Sequence, residues 1–315
     1  MRQVGRTDEA LVAYSRAVEL TPEYAWAWHG RGLVLSSLGR HEEALAAFLR
    51  AAQISPNDVW YWYKQADELI ALGRYEDAQQ PLARALKVQP DHAESWAKYG
   101  QVLRRLGRLS ESVAAYDRAL AIAPGYAWAW HGRGLALENQ RYLEEALASY
   151  QRAAQEDPRG IWYWLNQVDP LLALDRLAEA LPVVERALAL DPRNETAWAR
   201  KGQILRRLER YTEALEAYDE ALRHAPDYGW AWNGKGLVQA AQDDWEAALQ
   251  SYTNATLDAP GDVWFWYNRG EALFQLGRYA EAVAIWQRGL TIRQDHEPTR
   301  QKLQEVQRLL ESLSE

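Results

Sequence analysis

The chain has 315 residues, of which 48% are hydrophobic and 25% charged, and its formal net charge is −8. It has no cysteine, which excludes disulfides, thiolate metal sites and cysteine nucleophiles. The acidic balance argues against a nucleic-acid partner, because nucleic-acid-binding proteins usually carry a basic field. The aromatic content is skewed, with 16 Trp and 17 Tyr against 3 Phe, which favours partly wet surfaces over dry cores.

The first 24 residues form an amphipathic segment without the apolar stretch of a signal peptide. No stretch approaches the roughly 18 apolar residues that a membrane span needs, so we expect a cytoplasmic protein with no membrane partner. Tyr14, Ala17 and Pro22 are in phase with the second half of each later unit. We therefore predict that residues 1–24 are the second helix of an incomplete repeat, as in a fragment of a longer protein.

Residues 25–296 consist of eight units of 34 residues. The fourth residue of every unit is tryptophan, the anchor tryptophan: Trp28, Trp62, Trp96, Trp130, Trp164, Trp198, Trp232 and Trp266. A small residue follows four positions later in all units except the fifth, which has Val168. Seven units close with proline: Pro56, Pro90, Pro124, Pro158, Pro192, Pro226 and Pro260.

Each unit is predicted to be a pair of helices. Runs such as EEALAAFLRAAQI (42–54) have the apolar spacing of an amphipathic helix. LGR sequences, as at 38–40, supply the turn between the helices, and the closing proline ends the second helix because it lacks an N–H. We expect the anchor tryptophan to be buried between the paired helices, and the small residue to let a neighbouring helix approach closely.

The pattern W…LG…Y…A…F/Y…A…P with this period resembles the tetratricopeptide repeat family over residues 1–296. The resemblance implies an all-α fold, an α-solenoid (right-handed superhelix) of stacked antiparallel helix hairpins. It also implies a non-enzymatic binding scaffold whose concave surface is lined by the first helix of each hairpin. Residues 297–315, which begin with Glu297 and Pro298, are expected to form a polar C-terminal capping helix.

A longer period of 102 residues lies above the 34-residue unit. YAWAWHGRGL at 24–33 returns at 126–135 and, as YGWAWNGKGL, at 228–237. WAKYGQVLRRL at 96–106 returns as WARKGQILRRL at 198–208. A triplet of hairpins is therefore the true repeat. It indicates recent duplication, a ligand site presented three times, or both.

Two of every three first helices carry a second tryptophan two residues before the anchor, about 200° around the helix from it. We call these the surface tryptophans: Trp26, Trp60, Trp128, Trp162, Trp230 and Trp264. Two neighbouring rings would expose about 300–500 Å², as much as the largest apolar patch on a typical monomer. They either contact a ligand or fill gaps between repeats. Trp245 and Trp286 fall outside this pattern and are predicted to be packing residues.

The same face is predicted to carry further polar and aromatic side chains of the binding site. These are His29, Tyr63, Asp67, Gln101, Arg104, Arg105, His131, Asp169, Gln203, Arg206, Arg207, Asn233, Tyr267 and Glu271. The alternative for the arginines and the acids is an ordinary solvated face of paired charges. Pro170, next to Asp169, is expected to kink its helix and distort the middle site.

The predicted function is protein or peptide binding, with no catalytic residues, no metal and no cofactor. The six histidines lack metal-ligand spacing, and the Gly30-Arg31-Gly32 sequence lies inside a predicted helix rather than after a strand. Some familiar family members hold a C-terminal carboxylate with Lys and Asn, but the corresponding positions differ here. An aromatic face suits an extended segment, repetitive or Pro-rich, or a sugar polymer. The alternatives are a ligand-sensing module of a larger signalling or defence protein, and head-to-tail self-association.

Overall fold

A computed structural model describes the backbone of residues 2–314 and the side chains of residues 7–309. Met1 and Glu315, the outer bounds of the predicted terminal segments, lie outside the described residues. Within residues 2–314 the chain forms nineteen helices and no strand. It divides into two compact units, residues 1–163 and 164–315.

The first unit consists of one long helix followed by four hairpins. Its helices are α1 Arg2–Leu20, α2 Ala25–Ser37, α3 His41–Ile54, α4 Val59–Ala71, α5 Tyr75–Val88, α6 Ala93–Arg105, α7 Leu109–Ile122, α8 Ala127–Asn139 and α9 Leu143–Glu156. Each first helix packs on its own second helix and on the second helix of the preceding hairpin, and α6 also contacts α4 and α8 directly. First helices thus lie side by side on one face of this unit.

The second unit repeats this arrangement. Its helices are α11 Val168–Ala173, α12 Leu177–Leu190, α13 Glu195–Arg207, α14 Tyr211–His224, α15 Gly229–Ala241, α16 Trp245–Asp258, α17 Val263–Gln275, α18 Tyr279–Ile292 and α19 Glu297–Ser314. The short helix α10, Ile161–Leu165, spans the boundary between the units. At the C-terminal end, Leu303 and Val306 of α19 are buried against α18. The role of α19 as a cap stays a prediction.

The core of each hairpin contains a row of buried alanines, and six of the eight second helices add one large ring, the exceptions being Leu82 and Val184. Phe48, Tyr116, Tyr150 and Tyr218 are at most 1% exposed. Trp286 occupies the same position in the last hairpin and is fully buried, which confirms its packing role. Trp245 also packs, half-buried, against the buried side chains of the seventh hairpin.

The turn inside each hairpin requires one residue in the left-handed backbone region. Four hairpins place glycine there, at φ between +72° and +76°: Gly39, Gly73, Gly107 and Gly277. The other four use Arg141, Asp175, Glu209 and Asp243, at φ between +58° and +67°. Glycine in the LGR sequence adopts this backbone conformation without strain. The other four hairpins make the same turn with a residue that carries a side chain.

The first helix of the fifth hairpin is broken, as the sequence predicted. α10 ends at Leu165 and α11 begins at Val168. Pro170 has no N–H to offer the carbonyl of Asn166 four residues earlier, so the helix cannot run through this point. Val168 also replaces the small residue found in the other first helices.

None of the helices in the described part of the chain combines the length and the apolar character needed to cross a membrane.

Candidate functional site

The anchor tryptophans are only half-buried, in contrast to the predicted burial between helices. The physical reason is a hydrogen bond at one end of the ring. In seven hairpins the indole Nε1–H donates, at 2.8–3.0 Å, to the carbonyl of the closing proline six residues earlier. This bond fixes the start of each first helix, and so fixes where the residue two positions before the anchor points.

The surface tryptophans occupy that preceding position, and four of the six are exposed. The exposed fractions are 55% for Trp26, 46% for Trp60, 56% for Trp162 and 47% for Trp264. Trp128 and Trp230 are half-buried. The six therefore fall into two groups, four open rings and two partly covered ones.

Two of the open rings are held by a buried histidine. The ring of His92 meets Trp60 edge-on at a centroid distance of 4.8 Å, and His296 meets Trp264 at 4.5 Å. Tyr63 and Tyr267 complete the two clusters, at 5.6 and 5.7 Å from the respective tryptophan. Such edge-to-face contacts orient each indole before any ligand arrives.

These histidines also begin the next helix. Nδ1 of His92 accepts the backbone N–H of Ser95 at 3.2 Å, which caps α6. Burial lowers the pKa of both His92 and His296, so the rings are neutral near pH 7. Asn194 caps α13 at the equivalent place in the middle triplet. The site role of His92 and His296 was not predicted from the sequence, although their separation of 204 residues is two triplets.

The two covered tryptophans are each topped by a cation that is itself bound to a predicted acid. Lys98 Nζ lies 2.8 Å from Asp67 and 5.2 Å from the Trp128 ring centroid. In the second unit, Arg200 lies 2.8 Å from Asp169 and 5.1 Å from the Trp230 centroid.

A third copy of the acid and cation occurs at Glu271, 3.3 Å from Lys302. The cations Lys98, Arg200 and Lys302 are 102 residues apart, a signal that was present in the sequence and was missed. Two of the predicted acids, Asp67 and Glu271, are about one-fifth exposed at the side chain, whereas Asp169 is 47% exposed. Asp67 and Asp169 are therefore paired with cations of the following hairpin, and Glu271 with a cation of the terminal helix α19.

The predicted arginine pairs split into two different environments. Arg207 donates to the Leu172 carbonyl at 2.6 Å and pairs with Asp175 at 2.8 Å, and Arg105 lies over the ring of Tyr75. Arg104 and Arg206 instead lie beside the hydroxyls of Tyr116 and Tyr218. Arg105 and Arg207 thus contact the preceding hairpin. Arg104 and Arg206 remain on the face that carries the surface tryptophans.

Tyr116 links Arg104 to the aromatic surface. Its ring lies 6.3 Å from that of Trp128. A Cβ on Gly132 would come within 2.3 Å of the Tyr116 ring, and one on Gly100 within 2.9 Å, so the ring is held in a slot between two glycines. Tyr218 occupies the same slot between Gly202 and Gly234.

The remaining predicted residues line the same helices at greater depth. His29 contacts Phe48 and Tyr61, and burial lowers its pKa. Burial, followed by the charge of Arg104, lowers the pKa of His131 to about 4. Asn233 accepts a hydrogen bond from Asn268, and Gln203 accepts one from Arg200.

Gln101 has a buried Oε1 without a hydrogen-bond partner. Within residues 7–309 no group of three or more His, Asp or Glu side chains is arranged to hold a metal ion. In the described part of the chain, the arrangement presents exposed aromatic rings, a few buried polar atoms and the guanidinium groups of Arg104 and Arg206, which form no ion pair. Chemically, exposed aromatic rings suit apolar or proline side chains, and a guanidinium group suits an anion.

Comparison with known proteins shows repeats along most of the chain. The family model described as tetratricopeptide repeat matches residues 2–59, 63–127, 165–229 and 233–297, and a second model of the same description matches residues 127–159. No curated protein matches the sequence.

Solved structures with the same fold include a tetratricopeptide repeat protein from Parabacteroides merdae. It is 14% identical with a TM-score of 0.64, over 79% of this chain and 98% of that one. A chain of the APC/C hetero-tetramer Cut9-Hcn1 is also 14% identical, with a TM-score of 0.63 over 90% of this chain. The present chain spans 56% of that relative. At this identity the likeness shows the fold alone.

Proposed function

The chain belongs to the tetratricopeptide repeat family, whose stacked hairpins make protein-interaction scaffolds, and from this premise we propose that it binds extended protein segments on its surface tryptophans. The observation that carries the proposal is the set of four tryptophans that remain 46–56% exposed. Each ring leaves roughly 100 Å² of aromatic surface open. Trp26 and Trp60 lie on the first helices of neighbouring hairpins, so together they offer roughly 200 Å² of aromatic surface.

The orientation of the rings supports binding over simple gap filling. Trp60 and Trp264 are held in T-shaped contacts with His92 and His296, and each tryptophan remains nearly half exposed. A ring that is already oriented loses little side-chain entropy when a ligand stacks on it.

The spacing of the first helices fits an extended chain. Packed helices lie about 8–10 Å apart, which equals about three residues of polyproline II at about 3.1 Å each. Successive first helices therefore meet every third side chain of a proline-containing segment. This geometry favours a protein segment, and a sugar polymer is the outcome to be tested against it.

The test measures the fluorescence anisotropy of a labelled proline dodecapeptide. A variant with Trp26, Trp60, Trp162 and Trp264 changed to Ser should bind at least about tenfold more weakly than the wild type, because each lost stacking contact contributes on the order of 1 kcal/mol.

The matched control removes four exposed apolar side chains from second helices, by changing Val12, Leu49, Ile122 and Leu257 to Ser. This variant should bind the peptide as the wild type does. Equal affinity in the tryptophan variant would refute the proposal. Displacement of the peptide by a linear oligosaccharide, with tighter binding of that sugar, would assign the surface to a glycan.

A further inference from the structure

Most cations on the first helices already have a carboxylate partner. Lys98, Arg200 and Lys302 pair with the acids described above, and Arg133 and Lys235 pair with Asp117 and Asp219 at 2.7 and 2.6 Å. Among residues 7–309, four arginines form no ion pair and have a buried Nε without a hydrogen-bond partner: Arg31, Arg104, Arg206 and Arg269. Arg31 and Arg269 still lie near the carboxylates of Glu43 and Glu281. Arg104 and Arg206 differ because they lie beside the hydroxyls of Tyr116 and Tyr218.

The groups around Arg104 leave its charge uncompensated. Burial raises the pKa of Tyr116 to about 12, even though Arg104 acts to lower it, so the hydroxyl is neutral near pH 7. Burial also holds the pKa of His131 at about 4, so that ring is neutral as well. The guanidinium therefore carries a full positive charge among neutral polar groups.

The same arrangement is built a second time, 102 residues later. Arg206 lies beside Tyr218, whose pKa burial raises to about 12. Asn233 stands where the first copy has His131, and Gln203 where it has Gln101. A histidine that is neutral and an asparagine share hydrogen-bonding ability and absence of charge. The position beside the arginine is thus polar and neutral in both copies.

We infer that Arg104 and Arg206 bind carboxylate side chains of the partner segment, so that the partner is an acidic extended peptide. The inference rests on the proposed function and names its ligand. The planar guanidinium fork matches a carboxylate, and one uncompensated charge per site matches a monoanion. The protein's net charge of −8 opposes a polyanion such as a nucleic acid.

The anion lies beside an aromatic contact. Tyr116 touches both Arg104 and Trp128, so the carboxylate binds within one hairpin of a surface tryptophan. Neighbouring first helices correspond to about three residues of extended chain. The ligand therefore carries Asp or Glu about three residues from a proline or apolar side chain.

The experiment compares two labelled peptides, four repeats of Glu-Pro-Pro and four repeats of Gln-Pro-Pro, by fluorescence anisotropy at low salt. Wild type should prefer the Glu peptide by about tenfold or more. The double variant Arg104→Gln/Arg206→Gln should lose that preference and still bind the Gln peptide with unchanged affinity. The control Arg133→Gln/Lys235→Gln removes the same total charge from paired cations and should keep the preference.

The outcomes separate this inference from the proposed function. Equal binding of both peptides to the wild type, together with weaker binding to the tryptophan variant, overturns the carboxylate site and leaves the aromatic surface standing. Displacement of the Glu peptide by inorganic phosphate, but not by equal acetate, overturns the carboxylate assignment in favour of phosphate. Failure of both peptides to bind at millimolar concentration overturns both proposals.

Discussion

Replacing Gly132 with Ala should destabilise the first unit, even though alanine is the better helix former. An added Cβ would lie 2.3 Å from Cζ of Tyr116 and 2.5 Å from its hydroxyl oxygen, more than 1 Å inside ordinary contact. The ring cannot withdraw, because Gly100 closes the other side of the slot and Tyr116 is 1% exposed. Overpacking of this kind costs about 1–3 kcal/mol, against a gain of about 1 kcal/mol in helix propensity. Because the contact is so close, the upper part of that range applies, about 2–3 kcal/mol, and the net loss should be about 1–2 kcal/mol.

Urea denaturation followed by circular dichroism measures this loss. Gly261→Ala is the control, since no atom lies within 4 Å of its added Cβ, and it should change stability by less than about 0.5 kcal/mol. Adding Tyr116→Leu should rescue Gly132→Ala, because the second hairpin carries Leu82 and the third carries the non-glycine Lys98 at the equivalent positions. If Gly132→Ala were as stable as the wild type, Tyr116 would have room to move and the slot would not exist.

Three further changes test other contacts. Trp96→Phe keeps a ring but removes the donor to the Pro90 carbonyl, and should cost about 1 kcal/mol in urea denaturation. Acidification should lower the melting temperature between pH 6.5 and about 4, because burial depresses the pKa of His131 and the unfolded chain takes up the proton first. His131→Asn should remove that component, on the order of 1.4 kcal/mol per pH unit. Asp243→Gly should stabilise by up to about 1 kcal/mol, since relief of about 1–2 kcal/mol of left-handed strain exceeds the entropy cost of glycine, about 0.5–1 kcal/mol.

The outcomes that contradict these expectations are specific. Trp60→Phe changes a half-exposed ring, so a loss equal to that of Trp96→Phe would show that the proline carbonyl bond contributes nothing. A pH profile of melting that is the same for His131→Asn and the wild type would remove His131 as a source of acid sensitivity. Lower stability of Asp243→Gly would show that Asp243 makes a favourable contact that outweighs its backbone strain.

Much of the fold follows from period and phase. The 34-residue spacing of the anchors predicted the hairpins, and Pro170 predicted the break between α10 and α11. Both depend on local backbone chemistry, which a single sequence carries. The half-burial of the anchors was missed because the partner of the indole N–H is a backbone carbonyl, and side-chain patterns do not display backbone acceptors.

The candidate site was only partly predictable, because its contacts cross hairpins. Lys98 belongs to a first helix without a surface tryptophan, and its two partners, Asp67 and Trp128, lie on the hairpins before and after it. The phase of the repeat indicates which residues share a face, but it does not indicate which side chains contact a neighbouring hairpin. Arg104 and Arg105 show the same limit, since adjacent residues with the same chemistry enter different environments.

The packing of Tyr116 between two glycines determines how many hairpins can be added or removed while the contacts between hairpins are kept. Tyr116 needs Gly132 on the following hairpin, whereas the Leu82 hairpin is followed by Lys98, so neighbouring hairpins are not interchangeable parts. Removing the fourth hairpin, for example, would place Asn166 where Gly132 meets the Tyr116 ring and would take Trp128 away from Lys98. Removing or adding three preserves every junction. The protein is therefore modular in blocks of 102 residues, and a block carries its packing junctions and its proposed ligand-binding residues together.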